Sequence, residues 1–285
     1  MIHLVLAILF SVILFIVFKS FSKFNINTLQ AIVFNYIVAF IVGILVSDTS
    51  FSPSETLKKP WLLYCLYLGF LFIAIFFTMG KTAQKNGVSA ASVASKMSLI
   101  IPVLFGVFFF KENIALLKGI GILIALLAVY FTTKKSDSTI KVSNFIYPIL
   151  LFIGSGIIDT SLNYVQKVWV DQKDTALFSS ITFLSAFILG AIVLTYQAVK
   201  KQFIFRFKNL IGGILLGIPN YFSMYFLIRA LQNDKIQSAT LFTLINIGVI
   251  LLTTITGILL FQEKLKKHNY IGIALAIIAL LIVSL

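Results

Sequence analysis

The chain has 285 residues, of which 60% are hydrophobic and 11% charged, and its formal net charge is +14. Soluble globular domains carry roughly 25% charged residues, so this composition excludes them and leaves a polytopic membrane protein, as does a mean hydropathy of +1.05. The positive balance resides mostly in lysines at the ends of apolar runs, where stems snorkel and heads meet lipid phosphates, and no clustered basic face points to a nucleic-acid partner.

Ten apolar runs follow one another, over residues 2–18, 28–47, 61–79, 88–110, 114–133, 144–166, 175–199, 210–231, 236–261 and 269–285. A helix of about 20 residues at 1.5 Å per residue crosses the hydrocarbon, so each run is a candidate transmembrane helix. The first lacks a basic leader and a small-residue cleavage site and reads as a retained helix rather than a signal peptide. The second carries Asn35 and Tyr36 at mid-run. After the longest loop, 48–60, Pro60 stands where the third helix opens, and the lone Cys65 in that helix has no internal disulfide partner.

In the fourth run Ser89, Ser92 and Lys96 share one helical face and Pro102 interrupts the helix. The hydrophilic stretch Lys134–Ser143 then divides the chain. In the sixth run Ser155, Asp159, Asn163 and Gln166 form a second polar stripe. Pro219 is expected to break the eighth helix just before Asn220 and Tyr221, and Asn246 lies inside the ninth.

The halves match at a constant offset: Phe110, Glu112, Gly121-Ile122, Ala125 and Ala128 correspond to Phe261, Glu263, Gly272-Ile273, Ala276 and Ala279. The domain organisation expected from this is a five-helix repeat over 1–133, a linker over 134–143 and a second repeat over 144–285. An odd number of helices per repeat inverts one copy relative to the other, an architecture typical of secondary transporters. The predicted fold is therefore all-α integral membrane, with ten transmembrane helices as two inverted five-helix repeats.

With its five-plus-five helices, Pro102 in the fourth run, and Glu112, Gly121, Glu263 and Gly272 in place, the chain resembles the EamA branch of the drug/metabolite transporter superfamily. Lys111 and Gln262 stand where that family usually has glycine, and Thr253 or its neighbours where a second proline often occurs. The resemblance implies an alternating-access carrier for small metabolites, amino acids or drugs, commonly an exporter in the inner membrane of a bacterium; the alternatives are a non-transporting membrane protein, such as a structural subunit or membrane enzyme, and a channel.

Lys96 and Asp159 are the two ionisable side chains well inside the runs, and both should face protein or water because lipid penalises them. Two readings stay open: a buried ion pair joining two helices, or groups that bind substrate or a coupling proton. The substrate-binding candidates are Lys96, Asp159, Asn163, Ser92, Asn220, Tyr221, Asn35 and Asn246. Glu112 and Glu263, followed by lysines, read as end-of-helix salt bridges. No nucleophile elbow, zinc motif or phosphate loop occurs, so neither an enzyme nor a bound cofactor or metal is expected beyond coupling to a proton gradient. The expected partners are a small-molecule substrate and membrane lipid, with the chain a monomer or homodimer. Basic residues favour the loops after odd-numbered runs, which would place those loops in the cytoplasm; the resemblance implies cytoplasmic termini instead.

Overall fold

The computed structural model describes residues 2–46, 52–110, 116–134, 145–171, 174–231 and 238–284. Within hydrocarbon a backbone must satisfy its own polar groups, and a helix does so within one segment. Among the described residues the chain forms helices and no strand: α1 (Ile2–Lys23), α2 (Thr28–Val46), α3 (Pro53–Thr56), α4 (Leu62–Asn86), α5 (Val88–Met97), α6 (Ile100–Phe110), α7 (Leu116–Thr133), α8 (Ile146–Trp169), α9 (Thr175–Val199), α10 (Phe207–Leu231), α11 (Ser238–Phe261) and α12 (Lys267–Ser284). Among the described residues, seven segments are long and apolar enough to cross a membrane, and three further apolar helices are shorter. Counted as separate helices, the described elements number twelve rather than ten, because α3 adds one turn and the fourth run divides into α5 and α6.

That division falls at Ser98 and Leu99 rather than at Pro102 itself. Pro102 has no N–H to donate to the carbonyl four residues back, and its ring crowds that carbonyl. The carbonyl in question is that of Ser98, which accepts instead from the Ile101 N–H at 2.9 Å. Pro219 behaves differently from expectation: α10 continues through it for 25 residues. A proline inside a membrane helix is tolerated when its surroundings re-satisfy the freed carbonyl.

The helices gather into two compact units, each assembled from separate stretches of the chain. Unit 1 comprises Met1–Ser20, Thr78–Ile157 and Phe222–Leu285, and unit 2 comprises Phe21–Phe77 and Ile158–Tyr221. The sequence halves are therefore not the contact units.

In unit 1, α5 packs against α11 and α7 lies along α12. Gly121 of α7 abuts Ile282 and Val283, while Gly272 of α12 abuts Ala128 and Thr132, so these two helices run antiparallel. Added side chains would collide at both places: a Cβ on Gly272 would stand 2.6 Å from the Thr132 nitrogen. The last carbonyls of α7 are met by α12, since Asn269 Nδ2 donates to Phe131, Thr132 and Lys134 at 3.2, 3.0 and 3.3 Å.

In unit 2, α2 packs along α9, and a core of Trp61, Cys65, Leu68, Val165, Leu177, Phe178 and Ile181 fills the space around α4, α8 and α9. The segments leading into α4 and α9 are tied by Lys59 and Asp174 at 2.6 Å. Gly213 and Gly217, four residues apart on α10, meet the α2 backbone at Ala31 and Asn35. Small residues at this spacing let membrane helices approach closely.

Gly217→Ala tests that approach. Alanine favours a helix by about 1 kcal/mol over glycine, but its Cβ would lie 2.7 Å from the Asn35 carbonyl oxygen, a backbone atom that cannot rotate away. Overpacking of this kind costs about 1–3 kcal/mol, so the variant's melting temperature in detergent is expected to fall; an unchanged or raised value would show that α2 and α10 have slack.

Candidate functional site

Among the described residues, polar groups inside the spans gather at two places, one in each unit. The cluster in unit 1 begins at the junction of α4 and α5. Gly87 adopts φ +105, a backbone conformation that L side chains avoid, and the chain turns there into α5. The first N–H of α5, that of Val88, donates to Glu263 Oε1 at 2.6 Å, and Ser89 Oγ donates to Oε2 at 3.2 Å. Lys19 Nζ lies 3.9 Å from the same carboxylate, whose side chain is 9% exposed. A carboxylate at a helix N-terminus meets unpaired N–H groups and the positive end of the dipole. The sequence-based expectation of an end-of-helix salt bridge is thus corrected in its partners: Glu263 binds the start of α5 and Lys19. Glu112, its counterpart, lies outside the described residues.

Glu263 is positioned by the end of α11. Gln262 takes φ +51, and the Glu263 N–H donates to the Gly257 carbonyl at 3.0 Å. Gly257 leaves room for the carboxylate, since a Cβ there would stand 2.7 Å from Oε2. One turn along α5, buried Ser92 accepts from Thr253 Oγ1 at 2.7 Å and donates to the Ser89 carbonyl at 2.9 Å. The polar face of α5 is therefore largely engaged with α11. Lys96, farther along, is half-buried, and the cavity beside its stem measures about 10 Å³ with apolar walls from α7 and α12. That is room for about one water, too little for a metabolite. Asn246 is buried on α11.

The cluster in unit 2 is neutral. Asn35 on α2 is fully buried, and its Oδ1 accepts from Asn220 Nδ2 of α10 at 3.1 Å. Its own Nδ2 leans on the Ile32 carbonyl at 3.4 Å. This pairing is possible because Gly213 and Gly217 bring α10 onto α2, a signal present in the sequence as GILLG and not used above. Next to Asn35, Tyr36 packs among Phe72, Phe76 and Phe183, with centroids at 6.4, 5.6 and 6.2 Å. Its hydroxyl is buried and has no hydrogen-bond partner among the described residues. Buried Tyr221 reaches Gly43 of α2, where Ser180 of α9 also converges.

Asp159 lies in unit 2, exposed on α8, whereas Ser155 one turn earlier is buried and lies in unit 1, as does Lys96. The side chain of Asn163 lies outside the described ones. No group of three or more potential metal ligands occurs among the described residues. Outside the spans, the Lys59 ammonium is held above the usual lysine range by its hydrogen bond to Asp174, against a smaller opposing effect of desolvation and with further attraction from Asp174, Asp171 and Glu55.

Two expectations follow. Glu263→Ala removes a charge-assisted acceptor from the first turn of α5, an interaction worth about 1.5–3 kcal/mol; Glu263→Gln keeps an acceptor and should recover part of the lost melting temperature. Equal losses in both variants would mean that charge, not hydrogen bonding, holds α5. For Lys59, a raised folded pKa means stability present below the ordinary lysine value and lost as pH rises through the folded one. Asp174 is buried and the Lys59 side chain is 30% exposed, so solvent still screens the pair and about 1 kcal/mol is at stake. Asp174→Asn should flatten that alkaline loss in pH-dependent melting curves.

Comparison with known proteins places these features in a context. The profile of the EamA-like transporter family matches residues 1–134 and again residues 146–285. An uncharacterized protein of Haemophilus influenzae is 31% identical over 98% of this chain and 96% of its own. The glucose uptake protein GlcU of Bacillus subtilis is 26% identical over 78% of both chains. The protein of the same name from Staphylococcus xylosus is 26% identical over 87% of this chain and 84% of its own. A solved crystal structure superposes with a TM-score of 0.59 at 14% identity, covering 97% of this chain and 95% of that one. A likeness at that identity speaks for the fold alone.

Proposed function

Because the chain belongs to the EamA-like transporter family and is a multi-pass membrane protein, we propose that it is a secondary carrier moving a small, uncharged, hydroxyl-rich solute by alternating access. The observation that carries this is the neutral cluster of unit 2: the buried Asn35–Asn220 pair, next to a buried Tyr36 hydroxyl with no partner among the described residues and three phenylalanine rings. Carboxamides donate and accept toward hydroxyls, and aromatic faces pack the C–H surfaces of a ring without requiring charge. Relatives at 24–26% identity are named glucose uptake proteins, which favours a monosaccharide and inward transport over the export expected from family resemblance alone.

The proposed architecture is two inverted five-helix repeats. Supporting it are the separate profile matches to 1–134 and 146–285 and the pairing of α2 with α9, α5 with α11 and α7 with α12. Each of these pairs takes one helix from either side of the linker. Gly121 and Gly272, the residues matched at constant offset, occupy reciprocal places in the α7–α12 contact. In this proposal the membrane is the bacterial cell membrane, and Asp159 and Lys96, the ionisable groups inside the runs, are the candidates for coupling transport to a proton gradient.

Purified protein in liposomes should take up labelled glucose with saturation, and Asn220→Ala and Tyr36→Phe should each lower uptake several-fold while folding normally. Saturable flux of an amino acid with none of glucose would replace the substrate class. Linear, unsaturable flux would abandon the carrier altogether. Collapsing an imposed proton gradient should slow uptake by the wild type but not by Lys96→Met combined with Asp159→Asn. Full gradient-dependent transport by that double variant would assign both charges to structure.

A further inference from the structure

At one end of unit 2, where α1 closes and both α2 and α10 begin, an open cavity of about 400 Å³ is lined by Asn25, Ile26, Asn27, Gln30, Gln202, Ile204, Arg206 and Asn209. That volume lies within the range of small-molecule sites, about 300–1,000 Å³. Its floor is a built network of carboxamides. Asn209 Oδ1 accepts from the Asn27 N–H at 3.0 Å, Asn209 Nδ2 donates to Gln30 Oε1 at 2.5 Å, and Gln30 Nε2 donates to the Ile204 carbonyl at 3.2 Å. Asn209 and Gln30 are 1% and 2% exposed. Buried carboxamides this well ordered give the floor a fixed shape. Beside this floor the cavity is lined by the exposed carboxamides of Asn25, Asn27 and Gln202, and a carboxamide NH₂ carries two N–H donors.

The electrostatics have one sign. Arg206 is the charged lining residue, and no carboxylate lines the cavity. Lys23, Lys200, Lys201 and Lys208 neighbour the lining residues in sequence, and Lys208 Nζ is tied to the Phe24 carbonyl at 2.9 Å. The surroundings are also strongly apolar on the outside. Phe24, Ile204, Phe205 and Phe207 are 59%, 62%, 55% and 67% exposed. In water such a collar is costly; at the boundary of a bilayer it enters the acyl region while the polar cavity stays at headgroup depth.

We infer that this cavity binds the phosphate-bearing headgroup of an anionic phospholipid, with Arg206 and the carboxamide N–H groups on the phosphate oxygens. A free phosphate ester shares the headgroup's chemistry, but it would have no use for the exposed apolar collar, which suits acyl chains. Guanidinium matches phosphate oxygens in a bidentate fork, and the carboxamides extend recognition to glycerol hydroxyls. The site is independent of the proposed solute cluster around Asn35.

Full-length protein in neutral detergent should bind phosphatidylglycerol, measured by native mass spectrometry or thermal shift, in clear preference to phosphatidylcholine. Arg206→Gln should weaken this about tenfold, the consequence of losing one charge-assisted hydrogen bond, and Gln202→Ala should weaken it less. Both residues are exposed, so neither change should alter the melting temperature without lipid. Lys58→Gln, an exposed cation before α4, serves as the control and should bind as the wild type does. Equal affinity for the two lipids, or undiminished phosphatidylglycerol binding by Arg206→Gln, would overturn the inference. Displacement of the lipid by millimolar inorganic phosphate or glycerol phosphate at matched affinity would assign the site to a free anion instead.

Discussion

A backbone that enters hydrocarbon has to find every hydrogen-bond partner within the protein, and the start of α5 shows how much of this fold follows from that requirement. Gly87 turns the chain, and the helix that begins after it exposes N–H groups to an apolar interior. The carboxylate of Glu263 answers them at 2.6 Å, and its charge is balanced by Lys19 at 3.9 Å. Glu263 can stand there because Gly257 has no side chain and because Gln262 accepts a left-handed conformation. Four separated positions, in α1, the α4–α5 turn and the end of α11, thus depend on one interaction. The same logic governs the other interruptions: Ile101 serves the Ser98 carbonyl at the break before Pro102, and Asn269 closes the end of α7.

Polar side chains inside the spans divide by chemistry. In unit 1 several of them hold helices together, as in the Thr253–Ser92–Ser89 chain that continues to Glu263. In unit 2 the carboxamides of Asn35 and Asn220 bond to each other, and Tyr36 carries a buried hydroxyl into an aromatic group. Interhelical hydrogen bonds in membranes are worth only about 0.6–2 kcal/mol each. Exchanging such a bond for one to a solute hydroxyl would therefore change little free energy, in keeping with the carrier role proposed for this cluster.

Close helix contacts set the geometry of both units through glycine. Gly121 and Gly272 seat α7 on α12, and Gly213 and Gly217 seat α10 on α2. Van der Waals packing drives association between helices in lipid, since tails are as apolar as leucine. A missing Cβ is then the cheapest way to bring backbones together, and here it also brings Asn220 within reach of Asn35.

Much was legible from residue order alone. Composition forced a membrane protein, run length forced helices, and the matched positions around Gly121 and Gly272 singled out residues that prove to pack reciprocally. These are local or one-dimensional properties, because lipid imposes the same demand on every apolar segment. The tertiary structure alone decided which polar groups meet. Spacing placed Ser89, Ser92 and Lys96 on one face, but not that Glu263, over 170 positions away from Ser89, would take up its start. Pro219 looked like a break by propensity, yet α10 runs through it, because packing can re-satisfy what a proline removes. Asn35 and Asn220 were each visible as polar residues in apolar runs. Their bond was not, because it depends on how closely two helices distant in sequence can approach, and that distance is set by what lies between them in space.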